Sequence, residues 1–224
     1  MTESLVEKAQ KLKEEGLDLG HMPSRFEIGG RNQFMNLIYH GLLPQSKLLD
    51  IGCGCLRGGY WTIRSLDRGG YCGIEPNAKV LDAGIHRILE PGLVEEKQPR
   101  FDTNSNYDFS VFSEKFDFML AFSVWTHAPK DSIRTMLDGF VKYSNPDGIF
   151  LTTFQPATLL KREYNGEVWK TRSPHERMFS TAWARQRFSW IQQECRQRGL
   201  SVEKPGIRAL EYWDQVWLKI THLD

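Results

Sequence analysis

The chain has 224 residues, of which 40% are hydrophobic and 25% charged. That composition suits one globular domain with a sizeable buried core and excludes a disordered or low-complexity protein. A formal charge of +1 excludes the broad positive field of a general nucleic-acid or membrane-surface binder.

The first residues, MTESLVEKAQKLKEEG, are charged throughout and lack the apolar core of a signal peptide. No later stretch is long and apolar enough to cross a bilayer, so a cytoplasmic protein is expected. Leu5, Ala9 and Leu12 share one side of a short helix within residues 3–15. A firmer helix is predicted from Gly30 to Leu42, with Phe34, Leu37, Ile38 and Leu42 at helical spacing and Pro44 closing it.

The pattern then changes. Lys47 to Ile51 is a short apolar run stopped by glycine, as in a strand covered on both faces. A helix follows over Gly58 to Leu66, a second strand over Tyr71 to Glu75, and a helix carrying Val80, Leu81, Ile85, Ile88 and Leu89 before Pro91. Phe116 to Phe122 reads as a central strand, Pro129 to Ser144 as a helix ended by NPDG, and Ile149 to Phe154 as a further strand. A polar stretch, a basic helix over Ala184 to Arg198, and two last strands in LSVEK and QVWLKITH complete the chain. Alternation of this length predicts parallel strands joined by right-handed crossovers, an α/β fold with helices on both faces of an open sheet.

In such sheets ligands bind beyond the carboxyl ends of the strands. The run LLDIGCGCLRGG, residues 48–59, lies at that end of the first strand. Gly52 and Gly54 lack the β-carbons that would block a sharp turn and a close approach to a ligand, and the following helix offers unpaired N–H groups. A dinucleotide fingerprint, G-x-G-x-x-G, fails here because Arg57 occupies the third glycine's place. Glu75, ending the second strand, is placed to accept hydrogen bonds from ribose hydroxyls for either class of nucleoside cofactor. Cys53 and Cys55 admit two readings, a soft-metalloid site or small apolar packing. With Cys72 and Cys195 they form neither a disulfide framework nor a zinc pattern, so reduced thiols and no metal are expected.

Taken together, LLDIGCG, GIEPN, FDFMLAFSVWTHAP and NPDGIFLTTF resemble the class I S-adenosylmethionine-dependent methyltransferases over roughly residues 47–155, with continuation toward the C-terminus. The resemblance implies a Rossmann-like, seven-stranded, mostly parallel sheet with an antiparallel last strand. It implies one methyltransferase domain over 1–224, with 1–46 as a helical cap and 156–183 as a substrate-recognition insertion. S-adenosyl-L-methionine would be the cofactor and S-adenosyl-L-homocysteine the product. Asp50, Gly52, Cys53 and Gly54 would surround the methionine part and Glu75 would hold the ribose. Asn106, among Asn104, Asn106 and Asp108 in FDTNSNYDF, would lie near the adenine, and Ser123 would line the same pocket. Arg31 is a candidate for the cofactor carboxylate. The family pattern D-x-G-x-G-x-G is broken by Leu56 at its third glycine, with Gly58 and Gly59 following. Arg57 then either binds the cofactor carboxylate or is solvated at a helix start.

Methyl transfer to a hydroxyl needs a base. His127, after the fourth strand, is one candidate because its ordinary pKa lies near neutrality, and His175 is a second. Between Pro156 and Leu200 nine Lys or Arg stand against four Glu. Within that region Trp169 and Arg172, with Trp125 upstream, suit an acceptor with a flat or sugar-like face and an anionic handle. SVWT stands where the adenine and glutamine N-methyltransferases carry their motif, which disfavours that reaction. A small-molecule acceptor, sugar-like or anionic and methylated at oxygen, is expected. The alternatives are N-methylation of a small molecule, RNA methylation through the basic region, and a non-catalytic cofactor-binding scaffold.

Overall fold

A computed structural model describes residues 3–19, 22–170, 183–206 and 215–223. It divides into two compact units, Met1–Phe112 and Ser113–Asp224.

The first unit opens with α1, Leu5–Glu14, started by a capping box: the Ser4 hydroxyl accepts from the Glu7 N–H at 3.2 Å and the Glu7 carboxylate accepts from the Ser4 N–H at 2.8 Å. Leu5, Ala9 and Leu12 are buried as the spacing requires. The second helix, α2, runs Phe26–Tyr39, earlier than predicted, because Phe26 at its start is itself a core residue. Strand β1, Leu48–Ile51, pairs in parallel with β2, Tyr71–Ile74, in the register Asp50↔Gly73. All four residues of each strand are buried, which accounts for the unbroken apolar runs. On the other side of β2 lies β3, Arg100–Asp102, also parallel.

Three helices connect these strands: α3, Gly59–Ser65; α4, Ala78–Ala83, which loosens into a π-helical segment over Gly84–Ile88; and α5, Leu93–Lys97. Leu5, Ala9, Leu12, Phe26, Cys55, Val80, Ala83 and Ile88 form one buried cluster, so α1 packs over the end of the glycine loop.

In the second unit, β4, Phe116–Ala121, pairs in parallel with β5, Ser144–Pro156, and α6, Lys130–Tyr143, is the crossover between them. Ile133, Met136, Leu137 and Phe140 are its buried face, as their helical spacing predicts. Strand β8, Val216–His222, runs antiparallel to β5 and to β7, Leu200–Glu203. The last strand is therefore antiparallel, as expected.

The predicted basic helix begins later. Arg185–Gln186 form β6, parallel to the end of β5, and α7 spans Phe188–Arg196. With β3 and β6 included there are eight strands among the described residues instead of the seven expected. The architecture is α/β, and no helix among the described residues is long and apolar enough to cross a membrane.

Gly84, where α4 changes its winding, is closely packed against the glycine loop. A β-carbon there would lie 2.7 Å from the Cys55 carbonyl carbon and 2.9 Å from Leu56 Cγ. Gly84→Ala should lower stability by about 1–3 kcal/mol through overpacking against backbone. Urea denaturation measures it, and an unchanged midpoint would contradict this packing.

Candidate functional site

The glycine loop begins where β1 ends. Gly52 donates its N–H to the Ile74 carbonyl at 2.8 Å, and Cys53 donates to the same oxygen at 3.1 Å, so the turn stays fastened to β2. Gly52 at φ 71°, Gly54 at φ 57° and Leu56 at φ 60° all take left-handed backbone. For glycine that conformation is free, whereas for leucine it costs on the order of 1–2 kcal/mol. Leu56 is offset by burial: it is 0% exposed. Room for it exists because Gly59 and Gly84 lack side chains, and a β-carbon on either would meet Leu56 atoms at 3.1 or 2.9 Å. The break in the glycine pattern is thus filled by packing from within the unit.

Gly58 and Gly59 serve the same packing. A β-carbon on Gly58 would sit 2.5 Å from the Gln33 side-chain oxygen, and Gly30 of α2 lies so close to the Arg57 carbonyl that a β-carbon there would be 2.2 Å from it. Gly54 differs. A β-carbon on it would meet nothing within 4 Å, so Gly54 faces open space.

Glu75 stands beside that open face. Its carboxylate accepts from the Gly54 N–H at 3.1 Å and from the Asn77 N–H at 2.8 Å, while its own N–H is held by the Asp102 carbonyl of β3. Burial pushes its pKa up against the lowering effect of the Asn77 and Gly54 N–H groups. A carboxylate has about four acceptor sites, so two bonds leave it able to accept from a diol.

The remaining expected residues of this unit have structural neighbours. Asp50 is 3% exposed and accepts from the Tyr71 hydroxyl at 2.7 Å. Cys53 packs its sulfur against β2, 2.9 Å from where a β-carbon on Gly73 would be. Burial raises both loop thiols, Cys53 well above its ordinary range and Cys55 to about 12, so they are protonated packing groups at neutral pH. Among the described residues no group of three or more His, Cys, Asp or Glu is placed to hold a metal. Arg31 is exposed, lying 3.7 Å from Glu27 with its guanidinium 5.9 Å from the Trp61 ring centroid. Asn104 is the organiser of its turn: it donates to Asp102 at 2.6 Å and accepts from the Asp108 N–H at 3.0 Å. Asn106 is exposed at the tip of that turn.

In the second unit Ser123 follows β4 with φ 62° and is fixed on every side. Its N–H donates to Thr153 Oγ1 at 2.8 Å, its carbonyl accepts from the Thr126 hydroxyl at 2.8 Å, and its hydroxyl accepts from the Gln215 amide at 3.0 Å. Trp125, expected to face an acceptor, is instead 0% exposed, because its ring packs edge-on against Phe150 of β5 in the core.

His127 is half-buried and joined to Lys170 twice: its Nδ1 is 2.9 Å from the Lys170 carbonyl, and its own carbonyl accepts from the Lys170 N–H at 2.9 Å. A carbonyl can only accept, so Nδ1 carries the hydrogen and the basic lone pair of the neutral ring is on Nε2. The Trp183 ring lies 5.0 Å away, centroid to centroid. Trp169 is exposed one residue before Lys170. His175 and Arg172 lie outside the described residues.

Sequence reasoning did not single out Arg185, which is 5% exposed and donates through Nη1 to the side-chain oxygen of Gln155 at 2.7 Å. Its one signal was membership of the basic stretch after Pro156.

Three solved structures give the fold a context. The chain superposes on a magnesium protoporphyrin IX methyltransferase from Synechocystis PCC 6803 with bound S-adenosylhomocysteine, at TM-score 0.64 and 16% identity over 95% of this chain and 92% of that one. It matches a glycopeptide N-methyltransferase complexed with S-adenosylmethionine at TM-score 0.62 and 12% identity, over 86% of this chain and 94% of that one. It also matches an S-adenosylmethionine-dependent methyltransferase from Clostridium acetobutylicum ATCC 824 at TM-score 0.62 and 9% identity, over 96% of each chain. No protein-family model matches the sequence, and no curated protein matches it. At these identities the likeness is one of fold: the chain has the fold of S-adenosylmethionine-dependent methyltransferases.

Asp50 offers a test of the loop's foundation. Burial pushes its carboxyl up to about 7, outweighing the Tyr71 hydrogen bond and the Arg57 charge, which lower it, while Glu75 adds to the rise. The folded protein therefore keeps a proton that the unfolded chain loses near pH 4, and stability falls as pH rises through that window and levels off above it. Asp50→Asn should abolish this slope, matching the parent at pH 4 and exceeding it at pH 8 by on the order of 4 kcal/mol. Urea denaturation across pH 4–8 reads the difference, and equal slopes would contradict the burial argument.

Proposed function

We propose that the chain is an S-adenosylmethionine-dependent methyltransferase that methylates a small, hydroxyl-bearing acceptor at oxygen. The observation that carries this reading is the open, left-handed Gly54 beside a Glu75 carboxylate that retains acceptor capacity. The fit to the cofactor is chemical as well as steric. A sulfonium amino acid with an adenosine ribose needs a backbone without side chains along one edge and an anionic hydrogen-bond acceptor for two neighbouring hydroxyls.

In this reading residues 1–224 work as one methyltransferase domain, with 1–46 as a cap and 156–183 recognising the acceptor. Gly52 and Gly54 shape the cradle, while Asp50 and Cys53 hold it from below. Glu75 orients the ribose, and Asn106, Arg31 and Ser123 are further candidates for contact with the cofactor. When bound, the cofactor supplies an electrophilic methyl group, so the protein's tasks are alignment, exclusion of water and removal of one proton. His127 is suited to the last. Its Nδ1–H is committed to the Lys170 carbonyl, which orients the ring and leaves Nε2 to accept the hydroxyl proton. His175 remains a second candidate base, and Trp169 and Arg172 candidates for acceptor recognition. A hydroxyl needs such a base where a neutral amine already has a lone pair, and this favours oxygen over nitrogen.

Calorimetric titration with S-adenosylmethionine, S-adenosylhomocysteine and NAD tests the cofactor. Both sulfur compounds should bind and NAD should not, and Glu75→Ala should weaken S-adenosylhomocysteine at least tenfold, as expected for losing charged hydrogen bonds worth about 1.5–3 kcal/mol. Absence of binding by either sulfur compound would overturn the proposal. With an acceptor found by screening hydroxylated metabolites, His127→Ala should lower kcat by about 10²–10⁴-fold while leaving S-adenosylhomocysteine affinity unchanged. An unaltered kcat would remove His127 as the base.

A further inference from the structure

Of the arginines after Pro156 that are described with hydrogen-bond or ion-pair partners, Arg187 and Arg198 are neutralised locally. Arg198 donates to Asp138 at 2.6 Å and to Glu194 at 2.8 Å, and Arg134 of α6 binds the same Glu194 at 2.8 Å. Burial alone would raise the Glu194 pKa, but the two guanidinium groups outweigh it and hold it low. Arg187 lies 3.2 Å from Glu163, which Lys130 also reaches at 2.9 Å. Arg185 is the exception. It is among the most buried charged side chains of its unit, at 5% exposed, yet its described hydrogen bond goes to a neutral amide. Its Nε is buried without a hydrogen-bond partner, and no carboxylate pairs with it among the described residues.

The setting is a built one. Gln155 and Arg185 are register partners where β6 joins β5, and the carboxyl ends of strands in α/β sheets are where ligands bind. Thr153 and Gln155, two apart on β5, share one face of that strand. Both are 0% exposed. Thr153 donates to Gln215 at 2.7 Å, which in turn donates to Ser123. This face of β5 is thus polar, buried and internally satisfied up to the guanidinium. A buried charge without a counter-charge is costly and is retained where something of opposite sign completes it. The planar fork of arginine matches an oxyanion, and Gln155, by holding Nη1, fixes the plane of that fork.

We propose that Arg185 is an anion receptor, with Gln155 as its positioning residue, and that it binds a carboxylate or phosphate group of the methyl acceptor. The identification of the anion as part of an acceptor rests on the methyltransferase reading; the anion site itself does not. The acceptor is then a hydroxylated molecule bearing an oxyanion, anchored by that group and methylated elsewhere on its skeleton.

The test uses the full chain, with inorganic phosphate and acetate as probes and acetamide as the uncharged control, at constant ionic strength. Thermal unfolding and calorimetry should show saturable stabilisation of the parent by phosphate or acetate but not by acetamide. Arg185→Gln, which keeps an amide donor for Gln155, should weaken that response at least tenfold, and Arg185→Lys should weaken it less. A preference between phosphate and acetate assigns the acceptor's anionic group. Equal anion responses in the parent and both variants overturn the proposal, as does the absence of any anion response in the parent. Titration with S-adenosylhomocysteine runs alongside. An Arg185-dependent anion response without S-adenosylhomocysteine binding would keep the anion site and remove the methyltransferase reading, whereas the converse would do the opposite.

Discussion

The Glu75 carboxylate ties its own turn to the glycine loop, whose Gly54 stands 21 residues earlier in the sequence. One oxygen accepts from Gly54 in the turn after β1, and the other from Asn77 in the turn after β2. Much of the first unit can be understood as what this arrangement requires. For Gly54 to present its N–H, the backbone must pass through left-handed φ at Gly52, Gly54 and Leu56. The parallel register of β1 with β2 brings the two turns to the same height, and α1 and α2 are packed over the loop's far side through Cys55 and Arg57.

The loop rests on a base of low polarity. Asp50 lies below it with Tyr71, and burial raises both groups' pKa values, Asp50 to about 7. The two thiols are protonated fillers. The electrostatic result is a loop with one carboxylate, Glu75, beside the open face of Gly54, and a second, Asp50, kept inside by a phenol. Burial raises the Glu75 carboxyl as well, but its backbone N–H partners Asn77 and Gly54 work against that rise.

Long apolar periodicities were legible in the sequence. The unbroken runs of β1, β2 and β4 and the buried stripe of α6 appear where they were predicted, because burial alone determines those patterns. The missed strands had no such pattern. The three residues of β3 are all half-buried, and β6 is two residues long; each is a strand because of its partner, Cys72–Ile74 in one case and Gln155–Pro156 in the other. The glycine loop was legible as a turn, but not the division of labour within it. That Gly58 and Gly59 receive side chains from Gln33 and Leu56, while Gly54 faces open space, depends on tertiary neighbours. Trp125 and Arg185 show the same limit from the opposite direction: an aromatic expected to face an acceptor is core, and an arginine inside the predicted basic helix is a buried strand residue.

The central claim is that the Gly54–Glu75 pair is a cofactor cradle. The most direct measurement is a crystal structure of the chain grown with S-adenosylhomocysteine. The account predicts the two ribose hydroxyls within hydrogen-bonding distance of the Glu75 carboxylate and the cofactor's backbone-facing edge against Gly54. A cofactor bound elsewhere, with Glu75 still engaged by Gly54 and Asn77 alone, would contradict it.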